Sequence, residues 1–141
     1  MDGSSTHNRI DWRLRRARDF IYSAYTQPLD LPTISKQAQL SPFHFLRCFR
    51  SAFELTPHEY LTHLRIERAK ELLASEHLPI TEVCFEVGFE SLGSFSTLFT
   101  RHVGESPSAF RRRMNRLFRS AAMFSNLGIP HCFLYWFGHP P

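Results

Sequence analysis

The chain has 141 residues, of which 43% are hydrophobic, and a formal net charge of +4 at pH 7. This length suits one domain, or two very small ones that share a helix, with enough apolar residues for a packed core. No apolar run approaches the roughly 18 residues of a membrane span, which argues against a membrane protein, and the basic balance suits an acidic partner. Three cysteines at positions 48, 84 and 132 form neither a disulfide framework nor a metal-ligand pattern, so we expect a reducing cytoplasm, no metal and no cofactor.

Helical patterns run through the first half of the chain. Residues 1–10 are expected to be an N-terminal extension, followed by a helix over roughly residues 11–26. Two short helices, "LPTISKQA" and "SPFHFLRCFRSAF", are predicted between residues 31 and 53, where Ser41 is a good N-cap and Pro42 suits the first helical position. The apolar side of the first helix is predicted to contain Trp12, Phe20, Ile21 and Ala24.

The second half begins with a helix over residues 57–76. Thr56 precedes it and Glu59 follows three residues later, which is the pattern of a capping box. Its regular apolar spacing predicts the longest and best-defined helix of the protein. From Pro79 the pattern predicts a short helix, a turn at Gly88, a second helix from about Ser91 to His102, and a final helix from Pro107.

The segments on either side of the long helix are copies of each other, which indicates an internal duplication. Upstream of the turn, the matching apolar residues lie 49 positions apart, so the second turn is one residue longer. Downstream, every match lies 50 positions apart. The downstream pairs are Phe45 with Phe95, Phe49 with Phe99, Phe53 with Val103, Thr56 with Ser106, Pro57 with Pro107, and Tyr60 with Phe110.

Each copy has the order short helix, tight turn, second helix, which is typical of a helix-turn-helix. The stretch "YLTHLRIERAKELLASEHLPITEVCFEVGFESLGSFSTLFTRHVGESPSAFRRR" also resembles the DNA-binding domain of the AraC/XylS family of transcription regulators. The resemblance covers about residues 14–113, although Cys84 stands where the family has a small residue. The matching positions are Arg65, Ala69, Leu72, Leu73, Ile80, Val83, Gly88, Phe89, Ser94, Phe95, Phe99, Gly104, Pro107, Phe110 and Arg111.

The resemblance implies an all-α fold of two helix-turn-helix lobes joined by a long shared helix. The first lobe would comprise residues 11–56, the linker helix residues 57–76 and the second lobe residues 77–113. Residues 114–141 would form a C-terminal extension of unassigned role. Its apolar "CFLYWF" suggests either a patch that binds a partner or an extension without a selected role.

The resemblance further implies sequence-specific binding of double-stranded DNA by two recognition helices. A linker helix about 30 Å long would place them in neighbouring major grooves of an asymmetric site of about 20 base pairs. Activation is expected more than repression, with RNA polymerase as a candidate partner. The chain resembles stand-alone family members, which bind as monomers in the bacterial cytoplasm at the nucleoid, and it could also be the DNA-binding part of a longer regulator.

Base contacts are expected from outward positions of both recognition helices. By resemblance, Phe43, Leu46 and Arg47 read bases in the first, and the Arg47 guanidinium suits guanine O6 and N7. In the second helix the expected base contacts are Gly93, Ser94 and Thr97, whose small and hydroxyl side chains discriminate weakly. The first helix is therefore predicted to contribute more to sequence choice.

Phosphate contacts are predicted from helix N-termini and from basic or hydroxyl side chains around the recognition helices. The alternative for the arginines is a solvated charged face. The predicted backbone contacts are Ser41, Arg50, Ser91, Ser96, Thr100, Arg101, Arg111 and Arg112.

The remaining expectations concern packing and strain. Gln39 and Glu54 stand where the other copy or the motif has glycine, so a left-handed backbone there would cost about 1 kcal/mol each and loosen the first lobe. In the first recognition helix, the core residues are predicted to be Phe45, Cys48, Phe49 and Ala52. In the second they are predicted to be Phe95, Leu98, Phe99 and either His102 or Val103.

Two other classes of function compete with DNA binding. A helical protein-interaction module would have the same helical fold but would bind no DNA. An enzyme would need a catalytic constellation, but the chain has no phosphate-binding loop, HExxH motif or nucleophile elbow, and His63 with Glu67 is better interpreted as a surface pair. No catalytic residue is predicted.

Overall fold

The computed structural model describes residues 3–75 and 77–125, with side chains described for residues 12–75 and 77–120. These residues form α-helices joined by short connections, without a strand among them, so the predicted all-α fold is confirmed. None of the described helices combines the length and apolarity needed to cross a bilayer. In chain order the helices are α1 (Gly3–Ala24), α2 (Leu31–Gln37), α3 (Pro42–Phe53), α4 (Pro57–Ser75), α5 (Ile80–Glu86), α6 (Leu92–Val103) and α7 (Pro107–Ser125).

The helix starts follow the capping signals of the sequence. Ser41 and Ser91 each accept a hydrogen bond from the backbone N–H three residues later, at 3.4 and 3.2 Å. Thr56 and Glu59 form the predicted capping box: the Glu59 carboxylate accepts from the Thr56 N–H at 2.8 Å, and the Thr56 hydroxyl accepts from the Glu59 N–H at 3.2 Å. The Thr56 N–H bond lowers the pKa of Glu59, and so does a bond of 2.8 Å that the Thr56 hydroxyl donates to the same carboxylate, because both stabilise its ionised form.

The predicted ranking of the helices by length was wrong. Helix α4 has 19 residues, as α7 does, whereas α1 has 22 because it begins at Gly3, well before the apolar pattern that suggested its start. Helix α7 in turn continues to Ser125, past the last position of the family resemblance.

Two separate hydrophobic cores lie on either side of α4, and this helix contributes to both. Its N-terminal half places Leu61 in the first core, and its C-terminal half places Leu72 and Leu73 in the second. The first core also contains Leu14, Ala17, Ile21, Ile34, Ala38, Phe45 and Phe49. The second also contains Ile66, Ala69, Val83, Cys84, Val87, Phe89, Phe95, Phe99 and Phe110.

The aromatic packing of the two lobes repeats in three dimensions. In the first lobe Phe49 meets Tyr60 edge-on, with ring centroids 5.9 Å apart and planes at 77°. In the second, Phe99 meets Phe110 with centroids 5.6 Å apart and planes at 75°. Since each residue lies 50 positions after its counterpart, the internal duplication inferred from sequence extends to side-chain packing.

Some core predictions were wrong. Trp12 is 46% exposed, because the buried stripe of α1 runs through Leu14 and Ala17 on another face of the helix. Ala52 is exposed on α3, where Cys48 and Phe53 are partly buried against the first core. Of the two alternatives at the end of α6, Val103 packs partly buried against the second core, whereas His102 is exposed.

The predicted left-handed positions are present in both lobes. Gln39 has φ 54° and Glu54 has φ 60°, and they are the non-glycine residues with positive φ in the described chain. Their counterparts Gly88 and Gly104 have φ 91° and 85°. The first lobe therefore uses side-chain-bearing residues where the second uses glycine, at a cost that glycine avoids.

Candidate nucleic-acid interface

Helix α3 presents an outward face opposite its buried phenylalanines. Phe45 and Phe49 are fully buried, which fixes the rotation of the helix about its axis. Phe43 is consequently 76% exposed, Arg47 is exposed, and Leu46 is half-buried at the edge of the face. Such a large exposed aromatic side chain costs solvation free energy unless a partner covers it. Ser41 and Arg50, the predicted phosphate contacts of this helix, are also exposed.

Helix α6 is oriented in the same way by Phe95 and Phe99, which are fully buried. The outward surface is formed by small and hydroxyl side chains, with Arg101 near the C-terminal end. The exposed predicted contacts are Ser91, Gly93, Ser94, Thr97, Thr100 and Arg101, and Ser96 is half-buried.

The hydroxyls of α6 differ in how far they are already engaged. Ser91 donates to the Ser94 hydroxyl at 2.9 Å, and the Thr100 hydroxyl donates to the Ser96 carbonyl at 2.8 Å. The Thr97 hydroxyl forms no such bond to a described residue, so both its donor and its acceptor positions are open to a partner. A Cβ placed on Gly93 would meet nothing within 4 Å, so the surface beside it is open.

The arginine run at the start of α7 has three different environments. Arg113 is engaged within the lobe: its Nε donates to Glu105 at 2.7 Å and its guanidinium lies 5.0 Å from the Phe110 ring centroid. Arg111 is half-buried, and its Nε and Nη2 atoms are buried without a partner among the described residues. Arg112 is exposed, which makes it the member of the run best placed to meet a phosphate.

One exposed residue of these faces escaped the sequence analysis. His44 lies one turn before Arg47 on α3, and its ring nitrogen Nε2 is 3.6 Å from Cys48 Sγ. The same helical spacing that selected Arg47 would have included His44, because positions three and four apart share a face. On α6, Leu92 is also 38% exposed.

The described residues lack a metal-binding cluster of three or more His, Cys, Asp or Glu side chains. An open cleft of about 550 Å³ is lined by Thr26, Leu78, Glu82, Phe85 and Glu86. None of these residues belongs to the outward faces of α3 and α6, so the cleft is separate from the candidate interface.

Two helix-turn-helix units that share one helix define the DNA-binding domain of a transcription regulator. Residues 34–113 match the family described as "Helix-turn-helix domain". The chain belongs to the AraC/XylS family of transcription regulators through this domain. Membership in a family of regulators also decides against the enzymatic alternative.

The similarity extends to curated relatives and solved structures. The Msm operon regulatory protein of Streptococcus mutans is 32% identical over 101 residues, covering 72% of this chain and 36% of that relative's length. The C-terminal domain of AraT, a response regulator from Geobacillus stearothermophilus, is 34% identical with a TM-score of 0.69, covering 72% of this chain and 84% of that domain. The DNA-binding domain of AdpA, solved with a target DNA, is 28% identical with a TM-score of 0.68, covering 71% and 90%.

Proposed function

We propose that this chain binds double-stranded DNA sequence-specifically and activates transcription from nearby promoters. The observation that carries the proposal is the paired arrangement of α3 and α6. Each helix is fixed by two fully buried phenylalanines and presents an outward face that includes exposed polar or basic side chains. The relative described as a lactose operon transcription activator, from Staphylococcus xylosus, supports activation over repression.

In this proposal α3 supplies most of the sequence choice. Arg47 contacts guanine through its fork of donors, while Phe43 and Leu46 offer apolar contact, for instance to a thymine methyl. Helix α6 approaches the adjacent major groove with Gly93, Ser94 and Thr97. Since Ser94 is engaged with Ser91, Thr97 is the hydroxyl with most capacity to contact a base edge.

Phosphate contacts then surround the base-reading positions. The N-termini of α3 and α6 offer backbone N–H groups beside the exposed Ser41 and Ser91, although each serine side chain already caps its own helix. Exposed side chains extend these contacts on both helices, and Arg112 adds one from α7, where it is more accessible than Arg111. The remaining proposed phosphate contacts are Arg50, Ser96, Thr100 and Arg101.

The two cores support a functional division of the chain. Residues 11–56 form the first reading lobe, α4 the linker, and residues 77–113 the second lobe, with residues 1–10 and 114–141 as flanking extensions. One monomer then covers an asymmetric site of about 20 base pairs, because the two lobes carry different side chains.

RNA polymerase is the partner expected of an activator in the bacterial cytoplasm. The segment "CFLYWF" lies outside the described residues.

Binding of the full chain to a random double-stranded DNA library, followed by gel-shift titration of the selected fragments, tests the proposal. Specific retention should weaken steeply as salt concentration rises, because phosphate contacts release counterions. A matched fragment with the selected bases scrambled provides the control. Recovery of no preferred sequence, with an affinity independent of salt, would contradict the proposal and favour a protein-interaction module.

A further inference from the structure

The loop between α1 and α2 lies at the junction of the two lobes. Tyr25 packs partly buried against the first core. The next residue, Thr26, approaches the turn between α5 and α6 so closely that a Cβ on Gly88 would lie 2.8 Å from the Thr26 carbonyl oxygen. A backbone segment of the first lobe therefore touches the helix-turn-helix turn of the second.

The side chain of Arg65, on α4, ties this loop to the shared helix. Its Nε donates to the Tyr25 carbonyl at 2.7 Å and its Nη2 donates to the Gln27 carbonyl at 2.8 Å. The two bonds use separate nitrogens of one planar guanidinium, so they restrain the loop in both position and orientation. Burial lowers the pKa of Arg65, while the nearby carboxylate of Glu90 opposes that effect.

The same guanidinium also contacts the second lobe. Its Cζ lies 5.7 Å from the centroid of the Phe89 ring, a cation–π distance. The Phe89 ring is in turn 5.3 Å from the ring of Phe95, which anchors α6 in the second core. Arg65 thus contacts a loop of one lobe and, through one aromatic residue, the recognition helix of the other.

The internal duplication shows that this contact belongs to the junction rather than to the repeated lobe. The residue 50 positions after Arg65 is Asn115, which follows the same helix pattern in α7. The second copy therefore has no arginine at the corresponding position, although its aromatic core is retained. An arginine is used where two lobes meet and not where a lobe simply packs on its own last helix.

We infer that Arg65 is a positioning residue that fixes the separation and relative orientation of α3 and α6, and thereby sets the spacing between the two halves of the DNA site. This inference rests on the proposed function. A rigid connection keeps the effective concentration of the second lobe high when the site has the matching span, and lowers it when the span is wrong. A loose connection flattens this dependence.

The structural part of the inference is tested without DNA. Residual dipolar couplings of backbone amides are measured for the wild-type chain, Arg65→Gln, Arg65→Lys and the control Lys70→Gln, whose lysine pairs with Glu67 on its own helix at 2.9 Å. We expect couplings from both lobes of the wild type and of Lys70→Gln to fit one alignment tensor. In Arg65→Gln the two lobes should require different tensors, and a shared tensor in that variant would overturn the inference.

The DNA part uses fragments selected by the wild-type chain, with the spacer between the two contacted segments shortened or lengthened by one base pair. The wild type and Lys70→Gln should lose affinity by roughly tenfold on either altered spacer, whereas Arg65→Gln should lose only about twofold. An unchanged spacing profile in Arg65→Gln overturns the inference.

Two further outcomes are distinguishable. If the wild type selects no DNA, the proposed function fails while the dipolar couplings still decide the role of Arg65. If Arg65→Gln does not fold, Arg65→Lys provides the test, because lysine keeps the charge and a donor but not the fork. Its affinity loss on altered spacers, and the difference between the alignment tensors of its two lobes, should lie between those of the wild type and those of loosely connected lobes. Wild-type behaviour in both measurements would overturn the inference.

Discussion

Gln39 and Gly88 occupy the same place in the turns of the two lobes, and both have a left-handed backbone, with φ 54° and 91°. Only the glycine adopts this conformation without a steric penalty from Cβ. Gln39 is therefore a position at which backbone strain lowers the stability of the first lobe.

Replacing Gln39 with glycine should therefore stabilise the protein. Removal of the Cβ relieves the left-handed strain, and we expect the free energy of unfolding to rise by about 1 kcal/mol. Urea denaturation followed by far-ultraviolet circular dichroism measures the change. Gln39→Ala keeps the Cβ and should leave the free energy nearly unchanged, so equal stabilisation by both variants would argue against backbone strain as the cause.

The reverse substitution in the second lobe should be more damaging. Gly88→Ala adds both the left-handed penalty and a contact of 2.8 Å with the Thr26 carbonyl oxygen, which belongs to backbone and cannot rotate away. We expect a loss of roughly 2–4 kcal/mol in the free energy of unfolding. Gly104→Ala is the matched control, because its φ of 85° is similar but a Cβ there meets nothing within 4 Å. The difference between the two variants measures the inter-lobe contact, and its absence would contradict the close approach of Thr26.

The capping box should make stability depend on pH in the acidic range. Hydrogen bonds from Thr56 lower the pKa of Glu59 in the folded state, so the box contributes stability that is fully present above the unfolded pKa of about 4.3. That contribution should be lost as the pH falls through the folded pKa. Unfolding free energies of wild type and Glu59→Gln, measured between neutral and acidic pH, should converge as Glu59 becomes protonated; a constant difference would show that its ionisation is not coupled to folding.

Two arginine variants should separate base reading from phosphate contact. Arg47→Ala should cost about 1–3 kcal/mol on the preferred site and relax selectivity at one base pair. Arg112→Ala should weaken binding to all sequences alike and reduce the magnitude of the salt slope by about 1. Gel-shift titrations on the selected site and on single-base variants measure both effects. Wild-type affinity and selectivity in both variants would show that the reading and phosphate surfaces are assigned wrongly.

The parts of the fold that could be predicted from sequence are those determined by residues that lie close together in the chain. Ser41, Thr56 and Ser91 each accept a hydrogen bond from a backbone N–H three residues later, so a few adjacent residues of the sequence are enough to predict their capping role. The duplicated phenylalanines identified the buried faces of α3 and α6, because a pattern repeated in both helices excludes most alternative rotations of each helix about its axis. The positive φ of Gln39 followed from the glycine that helix-turn-helix turns favour, and that of Glu54 from comparison with its counterpart Gly104.

The parts that were missed depend on distant contacts. Arg65 was identified as a position of family resemblance, but its partners Tyr25 and Gln27 lie 40 and 38 positions away, and they are carbonyls that any residue type could provide. The exposure of Trp12 was missed because an aromatic residue was assigned to the core by type. The buried stripe instead follows Leu14, Ala17 and Ile21, whose spacing of three and four residues places them on one face of the helix.

Helix α4 passes from one core to the other, with Leu61 in the first and Ile66 in the second. Consecutive residues of a helix are rotated by about 100° and advance by about 1.5 Å, so one residue inserted between these two would rotate one lobe against the other by more than a quarter of a turn. The length of this short stretch can therefore change only by nearly whole helical turns if both recognition helices are to keep facing one side of a duplex. A single-residue insertion or deletion between Leu61 and Ile66 should therefore turn one recognition helix away from the face of the duplex that the other contacts.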